Sequence, residues 1–150
     1  MAYWLMKTEP DEFSYSDLEQ AGREPWNGVR NAVALKHMRA MKPGDTFLFY
    51  HTGNEKAIVG VGRVISEPYP DPEAGDPKYV AVDTAPGYRF QAPVTLAAIK
   101  ADDRFADWEL VRQSRLSVMP VSEEQWGWLH EMGGTEPDLP PLEGNRPADH

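Results

Sequence analysis

Thr46-Phe-Leu-Phe-Tyr-His51 and Ala57-Ile-Val-Gly-Val-Gly-Arg-Val-Ile65 are the stretches on which the fold turns. Both are rich in β-branched and aromatic residues, and Thr52-Gly53-Asn54 turns the chain between them. In the first stretch Phe47, Phe49 and His51 share one strand face, and Leu48 and Tyr50 share the other. The second is the longest strand candidate. Gly60 and Gly62 fall on one of its faces, which implies a bend or a close approach by another group.

Working outward toward the N-terminus, Asn31 is placed to cap a helix. In that helix Ala34, Leu35, Met38 and Met41 form an apolar stripe, and Lys36, Arg39 and Lys42 lie off it. Pro43-Gly-Asp45 ends the helix. Glu24-Pro-Trp-Asn-Gly28 reads as loop, with Asn-Gly a tight-turn signal. Ser16-Asp-Leu-Glu19 has capping-box spacing and opens a short helix that ends near Gly22. Tyr3-Trp-Leu-Met-Lys7 reads as a first strand, stopped by Pro10.

Toward the C-terminus, residues 67–78 hold Pro68, Pro70, Pro72 and Pro77 and read as a long loop. Residues 79–84 form another strand, and residues 88–90 begin a further one. Residues 95–100 and 108–113 are short helices, and 115–119 is extended. Ser122-Glu-Glu-Gln125 is a second capping box, opening a helix through Trp126 and Leu129 to Gly133. There is no internal repeat. Short strands mixed with short helices, without regular βαβ alternation, predict an α+β domain. Its sheet is small, twisted and mainly antiparallel, or a partly closed barrel flanked by helices. The domain is expected to span residues 1–134. Residues 135–150 form an acidic tail with four prolines and a net charge of −3, too poor in large apolar groups to fold alone.

Composition narrows the function. The 150 residues contain no cysteine, which excludes disulfides, cysteine–zinc sites and a thiol nucleophile. A mean hydropathy of −0.58 and the lack of any long apolar run argue against a membrane partner. The N-terminus has no signal-peptide pattern, and the reading is a cytoplasmic protein. Net charge is −9, which on its own argues against nucleic acid. The total hides an asymmetry: Arg23 to Arg63 holds seven bases and three acids, leaving −13 for the remainder. No two of His37, His51, His130 and His150 have metal-ligand spacing, so no metal is expected. No P-loop and no G-x-S-x-G elbow is present, and no cofactor is called for.

What remains is a constellation of aromatic and polar groups. Trp26 sits in the loop beside Arg30 and Asn31. It either anchors that loop to the sheet or offers a stacking platform, worth ~1–3 kcal/mol for a base. Lys7, Thr8 and Glu9 end the first strand, and His51 ends an aromatic one. Each has a plain reading as a rim residue in contact with solvent. Together they describe a rim on which an indole and several polar groups converge.

Six segments resemble one family. They are Tyr3-Trp-Leu-Met-Lys-Thr-Glu-Pro10, Pro25-Trp-Asn-Gly-Val-Arg-Asn31, Met38-Arg-Ala-Met-Lys-Pro-Gly-Asp45, Phe49-Tyr-His51, Ile58-Val-Gly60 and Arg115-Leu-Ser-Val118. In this order they are similar to the EVE domain over roughly residues 2–134. The resemblance implies a PUA-like fold, a twisted mixed sheet with helices around it. It also implies kinship with YTH domains, which bind methylated adenine, and with ASCH domains. EVE domains are read as recognising modified bases, chiefly cytosines such as 5-methylcytosine in DNA, and bacterial members accompany restriction-type systems. The expected partners are therefore nucleic acid with a modified base (DNA preferred to RNA) and a separate effector protein.

The family pattern implies a pocket walled by Trp26. Lys7, Thr8 and Glu9 enter it from the first strand, and Gly28, Val29, Arg30 and Asn31 from the loop and helix start. Tyr50, His51, Arg115, Leu116 and Ser117 complete it. Arg23, Lys36, Arg39 and Lys42 would meet phosphates. Binding without catalysis is the preferred reading. One alternative is binding of RNA or a small nucleotide in the same pocket. Another is an ASCH-like amidohydrolase on acylated cytidine, with Lys7 activating Thr8 and Glu9 carrying protons. Adjacent strand residues point to opposite faces, which opposes it.

Overall fold

The computed structural model describes residues 1–137. The expected tail therefore lies almost wholly outside the described residues. Thr135 packs on the body, its hydroxyl accepting from the Gln91 N–H at 2.8 Å.

Among the described residues, seven strands and five helices follow one another. They are β1 (Tyr3–Thr8), α1 (Tyr15–Ala21), β2 (Glu24–Trp26), α2 (Ala32–Arg39), β3 (Thr46–His51), β4 (Ala57–Val64) and β5 (Tyr69–Pro70). Then come β6 (Val80–Thr95), α3 (Leu96–Lys100), α4 (Glu109–Arg112), β7 (Val118–Val121) and α5 (Glu123–Met132). A single 3₁₀ turn at Asp103–Phe105 precedes α4. The sheet order is β2-β6-β4-β3-β1-β7, with the short β5 added to β6. It curls into a half-barrel. Among the described residues only β1 and β3 run parallel, Tyr3 opposite Thr46 and Thr8 opposite His51. A parallel pair needs a crossover, and α1, β2 and α2 supply it. The expected mixed, mainly antiparallel sheet is what forms. No helix among the described residues is long and apolar enough to cross a membrane.

The core explains the glycines. Trp4, Leu5 and Met6 are all buried, as in a strand covered on both faces. Tyr15 is fully buried, its ring edge-on to Phe49 at 5.2 Å and its hydroxyl donating to the Val61 carbonyl at 2.7 Å. That ring lies on Gly60, where an added Cβ would stand 3.0 Å from it. The Phe47 ring covers Gly62 in the same way. The close approach read from the two glycines is thus made by two aromatic rings.

Several element readings need correction, including the expected loop 67–78, which holds the short strand β5. The first capping box is Ser14 with Asp17, two residues earlier than expected. The Ser16 hydroxyl and the Glu19 carboxylate instead accept from Arg89. Glu24–Trp26 is not loop but an edge strand on β6, with Trp26 opposite Val82. Pro25 fits there because an edge position needs no donor. Residues 79–84 and 88–90 belong to one strand, β6, which stays paired with β4 through two register shifts. The expected extended segment 115–119 becomes strand only at Val118.

Candidate functional site

The strand ends and loops at one side of the half-barrel enclose a cavity of about 510 Å³. Lys7, Thr8 and Glu9 enter it from the end of β1. Glu12 and Phe13 follow on a turn that closes over it, both of their N–H groups donating to the Glu9 carbonyl at 2.9 Å. Glu24, Pro25 and Trp26 come from β2, and Asn27 to Arg30 from the loop before α2. Ser117, just before β7, completes the lining. The volume falls in the range of small-ligand sites.

Trp26 anchors its segment to the core and also borders the cavity. It is 8 % exposed and packs edge-on against Phe47 and Phe49, at 5.5 and 5.4 Å. It also meets Phe13 edge-on at 6.4 Å. Trp26 is also among the residues that line the cavity. Among the described residues its indole N–H has no acceptor, and no buried side-chain nitrogen or oxygen is left unpaired.

The polar lining is held from behind. The Lys7 ammonium donates to the Ser114 carbonyl at 3.1 Å and lies 5.5 Å from the Tyr50 ring. Burial lowers its pKa from the ordinary lysine value. The Thr8 hydroxyl donates to the Phe13 carbonyl at 3.1 Å. Glu9 accepts from the Asp11 N–H and packs on Gly53, where a Cβ would come within 2.7 Å of its carboxylate. Gly28 adopts φ +75°, and its N–H donates to the buried Asp71 carboxylate at 2.9 Å. That bond, with the Glu73 N–H and the nearby Arg30 guanidinium, holds the Asp71 pKa below the usual carboxylate range. The cavity walls carry three carboxylates, Glu9, Glu12 and Glu24, against two cations, Lys7 and Arg30.

Of the residues expected at the pocket, the structure brings Lys7, Thr8, Glu9, Trp26, Gly28, Val29, Arg30 and Ser117 to one cavity. Five lie outside it. The Asn31 carboxamide oxygen is taken by the Val33 and Ala34 N–H groups as the α2 cap. With Arg115 and Leu116 it borders an adjoining cavity of about 300 Å³. Tyr50 is buried behind Lys7. His51 is buried too, its Nε2 accepting from the Tyr15 N–H and its Nδ1 2.7 Å from Glu55. Because Nε2 accepts, the proton sits on Nδ1 and is directed at the carboxylate. His51 thus braces α1.

The four expected phosphate contacts also separate. Arg23 is paired with Asp83 at 3.0 Å. Lys42 follows α2 at the opposite end of β1 from the cavity, where its N–H donates to Asp45. Lys36 and Arg39 stay exposed on α2. Sequence reasoning missed Glu12, Phe13, Glu24, Pro25 and Asn27. The last two stood inside the Pro-Trp-Asn-Gly motif, and that was the available signal.

The family model of the EVE domain matches residues 2–132. This chain belongs to the EVE-domain family. Among its relatives, mouse thymocyte nuclear protein 1 is 29 % identical over 169 residues, covering 90 % of this chain and 75 % of that one. The protein Rpa0253 of Rhodopseudomonas palustris, solved by NMR, is 46 % identical with a TM-score of 0.85, covering 89 % and 94 % of the two chains. Human THYN1, solved in complex with DNA containing 5-methylcytosine, is 28 % identical with a TM-score of 0.82, covering 91 % of this chain and all of that one. The half-barrel of this EVE domain is accordingly the PUA-like fold that the sequence motifs implied.

Proposed function

We propose that this EVE domain binds nucleic acid by taking one base, turned out of its strand, into the 510 Å³ cavity. The favoured ligand is a modified cytosine in DNA. The observation that carries this reading is Trp26, which lines a cavity of ligand size and whose indole N–H has no acceptor among the described residues. The complex of human THYN1 with 5-methylcytosine DNA supports it from within the same family.

The energetics are close to balanced. Extruding a base costs a few kcal/mol. Stacking on Trp26 returns ~1–3 kcal/mol, and each hydrogen bond adds roughly 0.5–1.5 kcal/mol. Carboxylates such as Glu9 and Glu24 accept from an exocyclic amine, which favours cytosine over thymine. A buried methyl contributes about 0.8 kcal/mol, or roughly fourfold. Discrimination against unmodified cytosine is therefore modest.

Binding, not turnover, fits the polar groups. The Thr8 hydroxyl is committed to the Phe13 carbonyl and the Lys7 ammonium to the Ser114 carbonyl, so neither activates the other. Recognition alone does not alter the nucleic acid, so this reading calls for a separate effector protein.

The test compares wild type with Trp26→Leu on duplexes carrying 5-methylcytosine or cytosine, and on single-stranded RNA. Leucine keeps apolar volume under Phe47 and Phe49 but removes the ring face and the N–H. We expect the methylated duplex to bind best and Trp26→Leu to weaken it about 5- to 150-fold. Equal binding of all three ligands by both proteins overturns the reading. Preference for RNA moves the ligand class and keeps the cavity.

A further inference from the structure

The arginines of this chain divide by what holds them. Arg23, Arg89, Arg104 and Arg112 each lie within 3.4 Å of a carboxylate oxygen, on Asp83, Glu19, Asp102 and Asp107 respectively. Their charge is already answered. Arg30 and Arg39 are held differently. The Arg30 guanidinium lies 4.6 Å from the Tyr79 ring centroid and donates to the Val29 carbonyl. Its nearest acid, Asp71, is 3.8 Å away and already accepts from the Gly28 and Glu73 N–H groups. Arg39 donates to the Lys78 carbonyl at 3.0 Å and has no carboxylate partner among the described residues. The Lys78 ammonium lies 5.1 Å from the same Tyr79 ring, with exposed Asp76 at 4.0 Å.

Three cations are thus gathered on the dipeptide Lys78-Tyr79. A ring face or a carbonyl orients a cation without cancelling its charge as a close carboxylate does. Arg30 also lines the cavity, so this ridge begins at the cavity mouth. The cavity walls themselves hold more carboxylates than cations. A neutral base can enter such a space, but its phosphates are repelled from it and must lie outside, where Arg39 has no carboxylate partner among the described residues and Arg30 and Lys78 have one only at 3.8 and 4.0 Å.

We propose that the ridge of Arg30, Arg39 and Lys78 around Tyr79 carries the sugar–phosphate backbone of the strand whose base occupies the cavity. This rests on the base-binding reading above. The occupant is a nucleic-acid backbone because a protein of net charge −9 repels a polyanion over most of its surface. Lys78 stands outside the Arg23–Arg63 basic segment and joins it only through the fold.

The test is a salt titration between 50 and 200 mM, with fluorescent duplexes carrying 5-methylcytosine or cytosine. The proteins are wild type, Arg39→Gln, Lys78→Gln, the double variant, and Lys100→Gln on the exposed surface of α3 as control. Each ridge variant is expected to weaken both duplexes by the same factor. It should also reduce the slope of log affinity against log salt by about one for each phosphate that the variant no longer neutralises. The ratio between the two duplexes stays as in wild type, and Lys100→Gln changes nothing. A double variant with the wild-type slope, or a control with the same loss, overturns the ridge. If that happens while Trp26→Leu still weakens the methylated duplex, the cavity reading survives alone. If the ridge variants lose slope but Trp26→Leu has no effect, the strand is held without a cavity base, and the proposal as stated falls.

Discussion

The Asp71 carboxylate ties two loops that lie 43 residues apart in sequence. It is buried, and it accepts from the N–H groups of Gly28 and Glu73. The first of these bonds fixes the loop that carries Asn27 to Arg30 along the cavity. Removing the carboxylate leaves Gly28 with an N–H that only water can satisfy. Asp71→Ala is therefore expected to destabilise the fold by about 1–3 kcal/mol. In hydrogen exchange, the Gly28 amide should lose protection while the Phe49 amide in β3 keeps more of it. Unchanged Gly28 protection would show that the loop is held by other means. The sign of the pH effect follows from the lowered pKa of Asp71. Its contribution is complete above the unfolded aspartate value of about 3.9 and is lost as pH falls through the lower folded value. None of this was legible in the sequence, where Asp71 is one acid among the prolines of a loop. Trp26 was legible in part. Its neighbours Arg30 and Asn31 suggested a platform, but only packing shows that one residue both seals the core and borders the cavity.

At the scale of elements, the readable features were those whose cause is local. Asn31 and the Ser122–Gln125 box cap their helices as the spacing predicted. The misplacement of the first box has a tertiary cause. Starting the helix at Ser14 puts Tyr15 into its first turn, where the ring reaches Phe49 and the hydroxyl reaches β4. Burial of the tyrosine sets the start of the helix at Ser14 and not at Ser16. The β2 strand was missed for a similar reason, since three residues with a central proline carry no strand signal without β6 beside them. Two glycines test the packing argument with opposite signs. Gly62→Ala drives a methyl into the Phe47 ring and should cost about 1–3 kcal/mol. Gly127 lies inside α5 with open space around its Cα, so Gly127→Ala should stabilise by about 0.5–1 kcal/mol. Thermal melts decide it: Tm falls in the first variant and rises in the second. A neutral Gly62→Ala would mean that the Phe47 ring moves aside at no cost.

For the whole molecule, the unsolved question in the sequence was charge. The Arg23–Arg63 segment holds an excess of bases along the chain, but the fold divides them. Arg23 is spent on Asp83, and Lys42 sits at the far end of β1. Arg30 and Arg39 remain, and Lys78 joins them from a different part of the chain. One-dimensional charge counting fails here because ion pairing and loop docking are long-range. The fold class, by contrast, was legible, because short aromatic and β-branched strands among short helices, without βαβ alternation, specify a small mixed sheet. The central claim, that a base enters against Trp26, can be read from indole N–H signals in a ¹H–¹⁵N spectrum. Trp4 donates to Asp45 and Trp108 to the Pro120 carbonyl, so both report the fold and not the ligand. On adding a duplex with a single 5-methylcytosine, the Trp26 signal, assigned through Trp26→Leu, should shift while those of Trp4 and Trp108 stay in place. Saturable binding of that duplex with the Trp26 signal unmoved would contradict the account.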